Sequence, residues 1–129
     1  MATIELGEVE LIDVNSIENR AILKVTFLVA NPGDVTVTVP VISYRLYADG
    51  SEIGSGAYST EDVAMPGRAA FYPDAESPLK NKLTLVMSEM NETVYNKIVS
   101  GQVIQYAATG QMTVESAWSI VELDFDTRS

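Results

Sequence analysis

Apolar and polar residues alternate through most of the chain, and turn residues separate the alternating stretches; this is the pattern of half-buried β-strands. The first stretch sets Ile4 and Leu6 on one phase and Val9 and Leu11 on the other, with the change at Gly7-Glu8. A one-residue slip turns every later side chain to the opposite face, so a bulge or bend is predicted near Gly7. Between Arg20 and Ala30 the residues Leu23, Val25, Phe27 and Val29 share a face, and Asn31-Pro32-Gly33-Asp34 ends that strand with turn chemistry. A third stretch runs through Val35, Val37, Val39 and Val41, then shifts to Ile42, Tyr44 and Leu46. Pro40 lies at the shift, which predicts a bend or a change of sheet there.

Asp49-Gly50 is a hairpin signal, and a Gly-rich strand from Glu52 to Tyr58 follows it. From Ser59 to Pro78 the alternation dissolves, with Met65-Pro66-Gly67-Arg68 read as a turn. Leu83, Leu85 and Met87 restore a strand. The period then becomes helical, with Met87, Met90, Val94, Tyr95 and Ile98 on one face, Ser88 as the cap and Gly101 at the left-handed stop. Val103 to Ala117 is apolar on nearly both faces and reads as a central strand, and Trp118 to Phe125 as the last one. About seven antiparallel strands and one short helix predict a single all-β domain over residues 1–129, a β-sandwich of immunoglobulin or fibronectin type III architecture. The Cys and Trp spacing of a true immunoglobulin domain is absent.

Composition narrows the function classes. With 129 residues, 47% hydrophobic and 20% charged, the chain suits one folded domain. It has no His and no Cys. That excludes Ser-His-Asp and Cys-His triads, a thiolate nucleophile and a Cys/His zinc site. A net charge of −10 argues against nucleic acid, which needs Lys and Arg to replace its counterions, and against an anionic membrane surface. No apolar run is long enough to span a bilayer, so the segment reads as soluble, cytoplasmic or the soluble part of a protein with an upstream anchor.

One ordered set of residues is more specific. Leu23 to Pro32 ends in Asn31-Pro32; Ile42 to Gly56 carries Tyr44 and a following turn and closes on Gly56; Pro66-Gly67 comes next. Tyr95 to Ile98, Ser100-Gly101 and Ile104 to Gly110 complete the series. Together they resemble the late embryogenesis abundant (LEA) type 2 family, whose module is also called the WHy domain, for water stress and hypersensitive response. The resemblance runs from about Leu11 to Phe125. The chain differs from the family pattern in Gly33-Asp34 after Asn-Pro, and in a longer stretch from Phe71 to Lys82. What the resemblance implies is a small sandwich tied to desiccation and related stresses, without enzymatic activity or cofactor. Some members protect other proteins from aggregation, and several carry an N-terminal membrane tether.

Each candidate site has a plain structural counterpart. Asn31, Pro32, Tyr44, Gly56, Pro66, Gly67, Gly101 and Gly110 are read as structural positions of the family pattern. Carboxylates at Glu8 and Glu10, Glu61 and Asp62, Asp74 and Glu76, or Glu122, Asp124 and Asp126 are the available groups for a cation or acid-base pair. They read more simply as the solvent faces of strands, with no catalytic or metal-ligating residue assigned. Trp118 is expected in the core, and the helix Met residues against an open end of the sandwich. Phe71 and Tyr72, in the irregular stretch, are the candidate contact with client proteins. The expected protein is a stress-protective binding module, monomeric or weakly dimeric; the alternative is a structural or adhesive domain of a larger surface assembly.

Overall fold

The computed structural model describes residues 2–59 and 70–129. Within these, β1 (Thr3–Asn15), β2 (Arg20–Ala30) and β6 (Glu76–Val86) form one antiparallel sheet in the order β1-β2-β6. The second sheet has the order β4-β3-β7-β8, from β3 (Val37–Ala48), β4 (Ser51–Ser59), β7 (Tyr106–Glu115) and β8 (Ile120–Arg128). A two-residue β5 (Ala70–Phe71) pairs with the start of β3. A 3₁₀ turn at Met87–Glu89 and one helix, α1 (Glu92–Val99), carry the chain from β6 to β7. The all-β sandwich predicted from alternation is the observed architecture.

The core lies between the sheets. Leu23, Val25, Phe27 and Val29 of β2 are fully buried, as their shared phase predicts, and they face Val39, Ile42, Leu46, Ala108 and Met112 across the sandwich. The slip at Gly7-Glu8 is a bulge: the β1–β2 register shifts between Leu6 and Val9. Pro40 marks a second bulge, where the β3–β7 register shifts between Thr38 and Val41. That shift lets Val39 and Ile42 both face inward, and β3 stays in one sheet from Val37 to Ala48. The β3–β4 hairpin turns through Asp49 and Gly50 with φ of 48° and 85°, the paired positive angles that a two-residue hairpin of matching twist requires.

Several boundaries differ from the sequence reading, among them the last strand, which runs over Ile120–Arg128 and leaves Trp118 outside it. β6 begins at Glu76, inside the stretch read as irregular, and pairs with β2 through Pro78. Proline is tolerated because β6 is an edge strand. The helix cap is Asn91, whose Oδ1 accepts from Val94 N at 3.1 Å, and Ser88 lies in the preceding 3₁₀ turn. Gly101 does take the left-handed stop, with φ of 79°. Val103 is 91% exposed and precedes β7, which starts only at Tyr106; β7 is nonetheless central, between β3 and β8. The turn expected at Met65 to Arg68, with Pro66 and Gly67, lies outside the described residues, as do Glu61 and Asp62.

Candidate functional site

Five residues of the ordered motif, Asn31, Pro32, Tyr44, Gly56 and Gly110, fall in two structural clusters. Tyr44, in the middle of β3, is opposite Gly56 on β4 and Gly110 on β7, and Gly110 is opposite Phe125 on β8. One row across the sheet therefore reads Gly56, Tyr44, Gly110, Phe125. Both glycines make room for their neighbours. A Cβ on Gly56 would sit 2.7 Å from the Tyr44 hydroxyl, and one on Gly110 would sit 1.9 Å from the Ser43 carbonyl oxygen. Phe27 of the facing sheet packs edge-on to Tyr44 at 5.0 Å and to Phe125 at 5.8 Å. The Tyr44 hydroxyl reaches the other sheet and donates to Asn81 Oδ1, while Asn81 Nδ2 donates to the Ala57 carbonyl at 3.0 Å. Burial holds the Tyr44 hydroxyl far above its ordinary pKa, so it stays a neutral donor.

Asn31 holds the second cluster. It is 2% exposed, and its Nδ2 donates to the carbonyls of Val35 at 2.8 Å and Phe71 at 2.9 Å, while Oδ1 accepts from Gly33 N at 3.1 Å. Its main chain pairs with Ala75 and Asp74. One side chain thus ties the β2–β3 loop to the β5–β6 turn, where Asp74 has a positive φ of 64°. Pro32 is exposed beside it.

These ties shape one end of the sandwich. Phe71, expected as a contact, is 1% exposed and belongs to the core, because it is the inward residue of β5 opposite Val37. Of the pair only Tyr72 offers surface, being 67% exposed. Trp118, expected in the core, is 84% exposed. It rides the β7–β8 turn, which Ser116 closes: the Ser116 hydroxyl oxygen accepts from Trp118 N at 3.3 Å and Ser119 N at 3.2 Å. Ser116 and Ser119 bracketing a Trp are the turn signal that strand periodicity passed over. Val35 and Ile120, 41% and 69% exposed, complete the apolar end. A shallow hollow of about 220 Å³ lies among Val35, Val37, Trp118 and the Asn31 loop. Its lining is mixed, with Asp34 and Ser116 beside the apolar side chains.

The carboxylates remain on the solvent faces. Glu8, Glu122, Asp124 and Asp126 are exposed, Glu10 pairs with Lys24 at 3.1 Å, and Gln111 Nε2 donates to Asp124 at 2.9 Å. Among the described residues no three acidic side chains converge as a metal cluster, and no helix is long and apolar enough to cross a membrane. Asp49 is the acid with a distinct environment. It accepts from Lys97 Nζ at 2.6 Å and from Gln105 N at 3.0 Å, and these bonds hold its carboxyl below the ordinary carboxylate value. It joins the hairpin, α1 and the approach to β7, which is a structural clamp.

No protein-family model matches the chain, and no curated protein matches it. Solved structures share its fold. A protein from Archaeoglobus fulgidus is 18% identical, with 97% of this chain and 94% of the other covered and a TM-score of 0.56. A protein from Arabidopsis thaliana is 16% identical, over 98% of this chain and 78% of the other, with a TM-score of 0.69. A candidate LEA protein is 12% identical, over 100% of this chain and 71% of the other, with a TM-score of 0.55. The fold of this chain is thus one that it shares with a LEA-like structure.

Proposed function

We propose that this chain is a non-enzymatic, stress-protective protein that limits aggregation of client proteins through weak contacts at its Trp118 end. The observation that carries the reading is the exposure of Trp118, Val35 and Tyr72 on loops, and of Ile120 at the start of β8, at one end of a strongly acidic fold. Apolar side chains collected on one face mark contact surfaces, whereas singly scattered ones do not. The fold shared with a candidate LEA protein supports the same reading. The mechanism has two parts. A client's newly exposed apolar segment rests on the Trp118 end, and the −10 charge of the remainder keeps such pairs from joining one another.

The experiment dries and heats a labile enzyme with an equimolar amount of this protein, of the Trp118→Ser/Tyr72→Ser variant, or of an unrelated acidic domain. The intact protein is expected to lower light scattering well below both others. Equal protection by all three would leave charge alone as the cause and end the proposal.

A further inference from the structure

The outer face of the β1-β2-β6 sheet carries three of the chain's four lysines. Leu23 and Val25 of β2 and Leu79, Leu83 and Leu85 of β6 point into the core, so the alternating Lys24, Lys80 and Lys82 point outward. Lys24 lies directly opposite Lys82 in the ladder, and Lys80 lies two residues along β6 on the same face. Like charges facing each other across a ladder destabilise it. Eighteen acidic residues were available to offset them, yet only Lys24 has an acidic partner, Glu10; neither Lys80 nor Lys82 is in an ion pair among the described residues. Beside the lysines, β6 and β4 border a groove of about 640 Å³, running from Lys80 to Thr84 on one wall and from Ser55 to Tyr58 on the other.

We propose that this lysine-lined groove binds a short, extended acidic segment of a partner polypeptide. The groove follows an edge strand, so it is elongated in the direction an extended chain would lie. Same-face side chains repeat every ~6.6–6.8 Å in both the strand and such a segment. Two carboxylates at alternate positions therefore match Lys80 and Lys82, and Lys24 stands across the ladder from the second. Three lysines separated in this way do not form the convergent cradle that a single phosphate takes. The net charge of −10 selects the partner's size. Two or three carboxylates in contact meet the lysines within the ~8 Å over which charges act at physiological salt, whereas a long polyanion also meets the surrounding acidic surface.

The test titrates a dye-labelled, end-capped peptide of alternating Thr and Glu into the whole protein at low salt and follows anisotropy. Parallel titrations use an alternating Thr-Gln peptide, inorganic phosphate and heparin. The expected result is saturable binding of the Thr-Glu peptide, weakened tenfold or more by Lys80→Gln/Lys82→Gln and left unchanged by Arg45→Gln on the other sheet. Both lysines are exposed, so the double variant folds, and its thermal midpoint confirms that. Equal binding of the Thr-Gln peptide, tighter binding of heparin, displacement of the peptide by millimolar phosphate, or unchanged affinity of the double variant would each overturn the proposal. Self-association of the double variant with unchanged peptide affinity would overturn it too, by making the lysines guards of the β6 edge.

Discussion

Two aromatic regions of this molecule are built for opposite purposes. In the middle of the sandwich, Tyr44, Phe27 and Phe125 are enclosed by a facing sheet and by glycines that leave room for them, and the Tyr44 hydroxyl has its own partner. At the loop end, Trp118 and Tyr72 sit on turns whose polar backbone is already tied internally, so their rings are left to solvent. The ordered motif describes the first region and the Asn31 tie. It does not include Trp118. What the ordered motif encodes is therefore the scaffold, and the surface proposed for client contact is held by residues that the motif leaves free.

Phe71 and Tyr72 give the sharpest separation, because they are adjacent and lie on opposite sides of that boundary. Phe71→Ala is expected to cost about 3–5 kcal/mol of stability, the usual penalty for emptying an aromatic core site. Tyr72→Ala is expected to stay within about 0.5 kcal/mol, as for an exposed residue. Urea denaturation of the two variants measures both, and comparable losses would merge the two regions into one core.

The closed region is tested next through Gly56. Its alanine variant places a methyl group 2.7 Å from the Tyr44 hydroxyl, with an expected cost of about 1–3 kcal/mol from overpacking. In a Tyr44→Phe background the clash with the hydroxyl is gone, so the same change should cost less. A double-mutant cycle that shows no coupling would mean that the ring Cζ, 2.9 Å from the added methyl, and not the hydroxyl, is what Gly56 makes room for.

Much of the closed region was legible in the sequence, and most of the loop end was not, for identifiable reasons. Leu23, Val25, Phe27 and Val29 share a face because a two-sided strand forces a period of two, and the Gly7 and Pro40 phase slips translate directly into bulges. The start of β6 is hidden in the sequence because Asn81 occupies an inward position, where it serves Tyr44 and Ala57, and Pro78 precedes it. Trp118 is not legible as exposed because an aromatic beside a strand reads as core unless the Ser116 turn is recognised first. Phe71 reads as loop because β5 is only two residues long, too short to show a period. The lysine stripe needed the register of β2 with β6, which no local pattern provides.

A smaller effect separates global stability from both aromatic regions. The Asp49 carboxyl is held below its ordinary value of 3.8 by the Lys97 and Gln105 bonds, so the folded state favours the charged form. A depressed folded value contributes stability above the unfolded value, and the contribution fades as pH falls through the folded one. Asp49→Asn should therefore be less stable than the parent at pH 7, with the gap closing below pH 3.8. Thermal midpoints across that range measure it, and a gap that persists at lower pH would assign the clamp to packing. The variant's protection of a labile enzyme at pH 7, well below its melting range, should match the parent's, since Asp49 is absent from the Trp118 end.

The change in stability expected at Trp118 is as small as that at Tyr72, and the separation of the two regions depends most on it. The side chain is 84% exposed, and its turn is held by the Ser116 hydroxyl through main-chain groups that Trp118→Ser retains. Stability should shift by no more than about 0.5 kcal/mol. Tryptophan fluorescence of the parent should also be red and readily quenched by iodide in the folded state, since this is the chain's one Trp. If Trp118→Ser lowers protection of a drying enzyme while leaving the denaturation curve in place, contact and scaffold are separate functions of separate residues. If it unfolds the domain, or if the fluorescence is blue and shielded, the ring is part of the core and the apolar end loses its largest member.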